Sequence, residues 1–359
     1  MKIYQNYDLT KLNTFGVSVN AKFFAEIHFE QEVKELFSSP QFKNNKRIFL
    51  GGGSNILFTK DFDGLVILNK LKGIKILSES STDVVIHSMG GEIWHDLVLF
   101  AVDRGYWGIE NLALIPGTVG AAPMQNIGAY GAELRNVLES VEAYNLESGE
   151  KKVFSKEECL FGYRDSIFKN KLKDKYFILA ITLKLSKISR PNLSYKILLE
   201  FLEKPARNAA YSVAGRNKII TYSLKDISDA VSAIRKSKLP DPAIIPNAGS
   251  FFKNVFIELA ELKKLRKIYP KIPHFNEPSG ASALAGRERI VKVPSAWLIE
   301  QTGWKGKRIG NVGVHEKQAL VLVNYGGATG EEIKELAEEI VASVLSKFGL
   351  RLIPEVNLI

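Results

Sequence analysis

Short apolar runs alternate with polar turns along this chain, and the change from one spacing to another marks the elements. KFFAEIHF, residues 22–29, predicts a strand, and EQEVKELFSS after it a short helix closed by Pro40. RIFL (47–50), GLVILN (64–69) and VVIHSMGG (84–91) are further β-favouring runs. IWHDLVLFAVDRG (93–105) predicts an amphipathic helix ended by Gly105. VLESVEAYN, KKVFS and KYFILAITLKLS alternate strand-like runs with turns between 137 and 187. RPNLSYKILLEFLEK follows, then the helical LKDISDAVSAIRKSK (224–238).

A third unit starts near there. FIELAELKKLRKIYP (256–270) has helical spacing and stops at Pro270; SAWLIEQTG predicts a short helix and ALVLVN a strand. The clearest helical pattern is TGEEIKELAEEIVASVLSKFG (329–349). Thr329 and Glu332 form a capping box. Ile333, Leu336, Ile340, Val344 and Leu345 line one face, and Gly349 supplies the C-terminal stop. LRLIPEVNLI then runs out as a strand. Strands and helices mix without regular βαβ alternation, which predicts an α+β protein with separate domains. No G-x-G-x-x-G follows a predicted strand and no Walker sequence is present, so a Rossmann dinucleotide fold is not supported.

Composition narrows the class. The 359 residues are 45% hydrophobic and 25% charged, which is ordinary for a soluble globular protein of two or three domains. No apolar run follows MKIYQNYDLTKLN, and no window is apolar enough to span a bilayer, so no signal peptide and no membrane partner are expected. Cys159 is the single cysteine, which excludes an intrachain disulfide and a cysteine-based metal cluster and fits a cytoplasmic location. The net charge of +10 is spread along the chain. Groups such as KKLRK (263–267) sit at helical spacing, as on a solvated face, so nucleic acid is not expected as a partner.

Two glycine segments carry the chemistry. GGGSNILF (51–58) lies between two strand-like runs. It is either a tight turn or a phosphate cradle, where residues without Cβ let backbone N–H groups approach an anion. ENLALIPGTVGAAPMQNIGAYGAEL (110–134) gathers Gly117, Gly120, Gly128 and Gly131 with small alanines and two prolines, and has no clear period. It is either a long structural loop or a functional one, lacking bulk where a large flat ligand could lie, with Gln125, Asn126 and backbone amides as hydrogen-bonding groups.

Together these segments resemble the UDP-N-acetylenolpyruvoylglucosamine reductase family. The likeness runs in order through NTFGV (13–17), ENLALIPG, FGYRDSIFK (161–169), KLPDP (238–242), NAGSFFKN (247–254), VHEKQALVLVN and PEV (354–356), nearly the whole chain. The resemblance implies a two-lobed FAD-binding domain of the vanillyl-alcohol-oxidase type, with lobes 1–69 and 70–222. It implies a C-terminal α/β substrate-binding domain, 223–359, whose last strand returns to the flavin site. FAD would be noncovalent, with the 51–55 turn (Gly51, Gly52, Gly53, Ser54, Asn55) at its pyrophosphate. Pro116, Gly117, Gly120, Gln125, Asn126, Gly128 and Tyr130 would lie along the flavin. NADPH would be co-substrate, the substrate a UDP-sugar enolpyruvyl ether, and no obligate protein partner or metal is implied. SYKILLEFLEK resembles the longer subtype, whose mobile loop carries a tyrosine over the substrate; Tyr195 would be that residue.

The implied reaction adds hydride to the methylene carbon of the enolpyruvyl ether and a proton to the neighbouring carbon. It needs a cation at the carboxylate and a proton donor. Family position assigns the first task to Arg164, supported by Tyr163; an Arg next to an Asp is otherwise a common structural pair. It makes Ser250 the proton donor, although serine after Ala-Gly is ordinarily a turn residue. Glu355 would be the third catalytic residue, able to carry a proton if burial raises its pKa. Lys238, Asn254, Lys305 and Gln318 fall at substrate-binding positions. Two positions depart from the family: Asn357 stands where an Arg is frequent, and Phe275 where relatives can have Tyr. The rival classes are an oxygen-using flavin oxidoreductase of the same domain family and a basic nucleic-acid-binding protein.

Overall fold

The computed structural model describes residues 1–204, 222–276 and 289–359. The insertion beyond residue 204, through 221, lies outside the described residues, as does 277–288. The chain forms two compact units, each assembled from separated stretches of sequence.

The first unit comprises Met1–Tyr7, Asn20–Gly53 and Phe62–Ser237. One of its sheets has the order Ile3–Asp8, Asn20–Ile27, Phe62–Asn69, Lys46–Leu50. Its last three strands are parallel, with Phe24 and Ile48 both opposite Val66. The helix Glu30–Ser38 covers this sheet with Val33 and Leu36 buried. Pro40 ends that helix and opens the next, Pro40–Asn44, where Ser39 Oγ accepts a hydrogen bond from Phe42 N. Proline has no N–H to lose at a first helical position. The second sheet is antiparallel, in the order Lys151–Ser155, Leu138–Asn145, Tyr176–Ser186, Asp83–Met89, Ile74–Glu79. Tyr176–Ser186 is almost wholly buried because both faces are covered. The two sheets share a core in which Phe49 stacks on Phe177 at 4.7 Å.

The sequence places a boundary at 222/223. In the structure Ile227, Ala230, Val231 and Ile234 of the helix Leu224–Lys238 pack into the core of the first unit. The second unit accordingly takes up the chain at Lys238.

The second unit comprises Asp8–Val19, Ser54–Asp61 and Lys238–Ile359. An antiparallel sheet runs Asn247–Ser250, Val321–Asn324, Val312–Val314, Arg308–Ile309. The helix Gly330–Phe348 packs on its central strands, capped by Thr329 and Glu332 and stopped by Gly349 at φ +69°. Ile333, Leu336, Ile340 and Val344 are buried as expected, but Leu345 is 43% exposed, and Phe348 seals the last turn instead. The pattern 256–270 is helical only from Leu259. Val255–Glu258 is a strand because Ile290–Val293 offers it a partner. The C-terminal segment is not one long strand; it makes a bridge at Pro354 and a short parallel pair, Asn357–Leu358 with Ile56–Leu57. Among the described residues no helix is long and apolar enough to cross a membrane.

Candidate active site

In the first unit the two glycine segments meet. The turn after Lys46–Leu50 sits at the carboxyl end of a parallel strand, where open α/β sheets bind ligands. A Cβ on Gly51 would collide with Thr118 Oγ1, and one on Gly52 would lie 2.8 Å from Gly117 Cα. A Cβ on Gly120 would lie 3.1 Å from Gly90 Cα. Gly53 has φ +62°, which glycine adopts without strain. Thr118 Oγ1 is buried with no hydrogen-bond partner among the described residues, and so is Asn111 Oδ1. Buried polar atoms are ordinarily paired. A cradle stripped of side chains with an uncommitted hydroxyl beside it fits the pyrophosphate of a dinucleotide cofactor. On this geometry Gly51, Gly52, Gly117 and Thr118 would hold it; Thr118 was not among the sequence candidates.

Farther along, the structure gives several candidates definite work. Gly128 O accepts a 2.6 Å hydrogen bond from Arg164 Nη2, and a Cβ on Gly128 would press within 3.0 Å of Nη1. The glycine thus makes room for the guanidinium. Arg164 itself has φ +51°, and its Cζ lies 5.5 Å from the Tyr163 ring centroid. Asn126, fully buried with φ +46°, donates to Gly162 O and to Glu133 Oε2, both at 3.0 Å, and accepts from Arg135 N. Its amide braces the turn that carries Arg164. Gln125 Oε1 accepts from Lys169 Nζ at 3.3 Å. Pro116 is exposed at the rim of the segment.

Tyr130 has φ +47°, and its ring meets Tyr195 edge-to-face at 5.3 Å. Asn111 Nδ2 holds Tyr130 O and Asn192 O, and Asn192 Nδ2 holds Gly131 O, so 192–195 is laid on the 130–131 turn. Tyr195 remains 46% exposed. Burial pushes the Tyr130 phenol up, with the Arg235 guanidinium opposing. Arg235 was missed by sequence reasoning. Burial lowers its pKa, with Tyr130 opposing and Arg164 reinforcing, so a second cation stands near both. Its spacing three residues before Lys238 on one helix was the available signal. Cys159 is buried, which pushes its thiol up to about 12; it keeps its proton and is no nucleophile.

In the second unit Ser250 ends the strand Asn247–Ser250, opposite Val321. The register slips between Asn247 and Ser250, where Gly249 has φ +68°. Such a bulge re-aims the next side chain. Asn247 secures it, accepting from Gly249 N and donating to Pro240 O and Ile245 O. Phe251 O accepts from Glu355 N at 2.7 Å, Phe252 bridges Pro354, and Lys253 N donates to Ile353 O. Ser250 and Glu355 are therefore on adjoining, mutually bonded segments, with Glu355 half-buried.

Asn55 adds a second tie, donating from Nδ2 to Glu355 O at 3.3 Å and accepting from Asn357 N and Nδ2. The departure Asn357 thus has a structural task. The 51–55 turn is divided: Gly51, Gly52 and Gly53 belong to the first unit, Ser54 and Asn55 to the second. Asn254 Oδ1 accepts from Ser295 N at the start of the helix Ser295–Gln301. Gln318 shapes the turn into Val321–Asn324, whose Leu320 O accepts from Phe251 N. Lys305 is not gathered with these. It precedes the opposite edge strand, Arg308–Ile309, and pairs with Glu300 at 2.6 Å. Lys238 closes its helix, half-buried. Phe275 is 56% exposed, with Lys292 Nζ 5.6 Å from its ring centroid.

The sequence model of an FAD binding domain matches residues 21–154, and that of the UDP-N-acetylenolpyruvoylglucosamine reductase C-terminal domain matches 241–359. The chain is 47% identical to the UDP-N-acetylenolpyruvoylglucosamine reductase of Amoebophilus asiaticus, over 100% of both chains. It is 46% identical to that of Flavobacterium johnsoniae, again over 100% of both, and 39% identical to that of Pseudomonas aeruginosa, over 100% and 99%. The crystal structure of UDP-N-acetylenolpyruvylglucosamine reductase from Thermus caldophilus superposes with a TM-score of 0.64 at 21% identity, covering 99% of this chain and 98% of that one, a likeness of fold. An FAD-binding domain, a C-terminal domain of one particular enzyme and full-length relatives at this level of identity lead to one conclusion: the chain belongs to the UDP-N-acetylenolpyruvoylglucosamine reductase family, whose members are FAD-dependent oxidoreductases.

Proposed function

We propose that this enzyme reduces UDP-N-acetylglucosamine enolpyruvate to UDP-N-acetylmuramate with NADPH as the hydride source, a cytoplasmic step in making peptidoglycan precursors. The observation that carries the reading is the tying of Ser250 and Glu355 onto adjoining segments, with the bulge at Gly249 aiming the serine. When bound, FAD supplies the redox chemistry that links the nicotinamide to the enolpyruvyl double bond. The protein must do the rest. Hydride enters at the methylene carbon and a proton at the neighbouring carbon, so the double bond becomes single.

Arg164 holds the substrate carboxylate and steadies the charge that accumulates there. Its φ of +51° and its bond to Gly128 O aim the fork in advance. Ser250 delivers the proton. Glu355 is a second acid or base beside it. Tyr195, Lys238, Tyr163, Asn254 and Gln318 bind the UDP-sugar, and so does Lys305 after exchanging its exposed partner Glu300. That exchange costs little, because exposed ion pairs are worth about 0–1 kcal/mol.

The test is a flavin absorbance experiment without oxygen. NADPH should bleach the yellow protein, and UDP-N-acetylglucosamine enolpyruvate should restore the colour while forming the lactyl ether. A reduced enzyme that ignores the enolpyruvyl ether and is reoxidised only when oxygen is then admitted would replace this reading with an oxidase.

A further inference from the structure

We propose that His95 is a positioning residue: its Nδ1 lone pair holds Leu114 in a left-handed conformation and so keeps residues 115–118 against the Gly51–Gly52 backbone. The inference rests on the assignment of that cradle to FAD. Leu114 has φ +57°, a conformation that leucine avoids without support. Both of its backbone polar groups are held. Leu114 N donates to His95 Nδ1 at 3.0 Å, and Leu114 O accepts from Arg235 Nε at 3.2 Å.

This clamp is one rung of a longer ladder between residues 90–95 and 112–120. Trp94 Nε1 donates to Leu112 O, Trp94 N to Gly117 O, Val119 N to Glu92 O, and Gly120 N to Gly90 O. The ladder sets where Gly117 and Thr118 stand, and these touch the 51–52 turn. Of its rungs, only the imidazole titrates near neutral pH.

Protonation would place a hydrogen on Nδ1, facing the Leu114 N–H donor, and open the clamp. The groups facing the ring favour the neutral form. Burial lowers the His95 pKa; Asp96 on its own helix opposes, and Lys236 and Arg235 from the helix Leu224–Lys238 add to the lowering. The neutral ring is therefore the native state. The clamp is complete above the ordinary histidine value of about 6.5. It is lost as pH falls below that value and through the lowered one.

The experiment titrates apo-protein with FAD, followed by flavin fluorescence, at about pH 7.5 and about pH 5.5. Wild-type affinity should fall at the lower pH. His95→Leu leaves the part-buried Leu114 N–H unpaired, so affinity at the higher pH should drop roughly tenfold, with little further loss on acidification. His95→Asn offers an amide oxygen near the Nδ1 position and cannot titrate. It should keep wild-type affinity at the higher pH and lose the acid sensitivity. Unchanged affinity in His95→Leu at both pH values overturns the proposal. So does an undiminished acid-side loss in His95→Asn. A lowered apo-protein melting temperature in His95→Leu with unaltered FAD affinity overturns it too, since the ring would then serve packing alone. If His95→Leu does not fold, the wild-type profile and His95→Asn decide the matter. Wild-type protein that takes up no FAD overturns the cofactor assignment as well, a result distinct from either variant's.

Discussion

Where 51–53 meets 117–121 in the first unit, side chains are missing; around Ser250 and Glu355 in the second, they are present and the backbone is tied on either side of them. The first region works by close approach. On the proposed reading its recognition groups are main-chain amides beside the Thr118 hydroxyl, and the glycines matter for what they leave out. The second works by placement. On the same reading one hydroxyl and one carboxylate are useful only because a bulge and an antiparallel bridge aim them. The first region should therefore fail when atoms are added, and the second when atoms are removed.

The largest effect is expected from taking an atom away in the second region. Ser250→Ala should bind FAD normally and be reduced by NADPH at a near-normal rate. Reoxidation by the enolpyruvyl substrate should slow by about 10² to 10⁴-fold, typical of losing a positioned general acid. That is roughly 3 to 5 kcal/mol of transition-state stabilisation. Stopped-flow absorbance separates the half-reactions. Normal reoxidation would move the proton source to Glu355 or water, and the contrast between the regions would blur.

Next comes adding atoms to the first region. Gly52→Val places carbon 2.8 Å from Gly117 Cα, so the two segments must part. Overpacking of this kind costs about 1–3 kcal/mol. Flavin retained after dialysis is the measure, with apo-protein unfolding as the control. Full retention in a folded variant would show that the cradle does not hold the cofactor.

The smallest effect is expected at Lys305, outside both regions. Lys305→Ala should change stability by less than about 1 kcal/mol, because its pair with Glu300 is exposed. Its affinity for the UDP-sugar, measured by calorimetry, should fall while flavin content stays level. An unchanged affinity would remove Lys305 from the substrate set and confine recognition to the Ser250 side of the sheet.

Much of this was legible in advance where the cause is local. The capping box at Thr329 and Glu332, the stop at Gly349 and the helix ending near Gly105 each depend on a few neighbouring residues. What was not legible depended on distant partners. Val255–Glu258 looks helical alone and becomes a strand because Ile290–Val293 pairs with it. Leu345 sits on the correct face of a helical wheel, yet the surface it faces is not covered. Asn126 looks like a ligand contact, and its side-chain amide turns out to brace the Arg164 turn.

From the sequence alone came the α+β class, which follows from local propensity. The shared task of the two glycine segments and the choice of Arg164, Ser250 and Glu355 for carboxylate and acid–base work came from the family resemblance. Only the chemistry those side chains can do is carried by each residue wherever it is placed. The tertiary structure alone decided that Gly51 and Gly52 stand against Thr118 and Gly117, that Gly128 yields its space to Arg164, and that His95 and Arg235 grip Leu114. It also decided that Asn55 ties down Glu355, some 300 positions away in sequence. Such contacts exist only after strands have paired and cores have closed. Their energies depend on burial and geometry, which no residue possesses by itself.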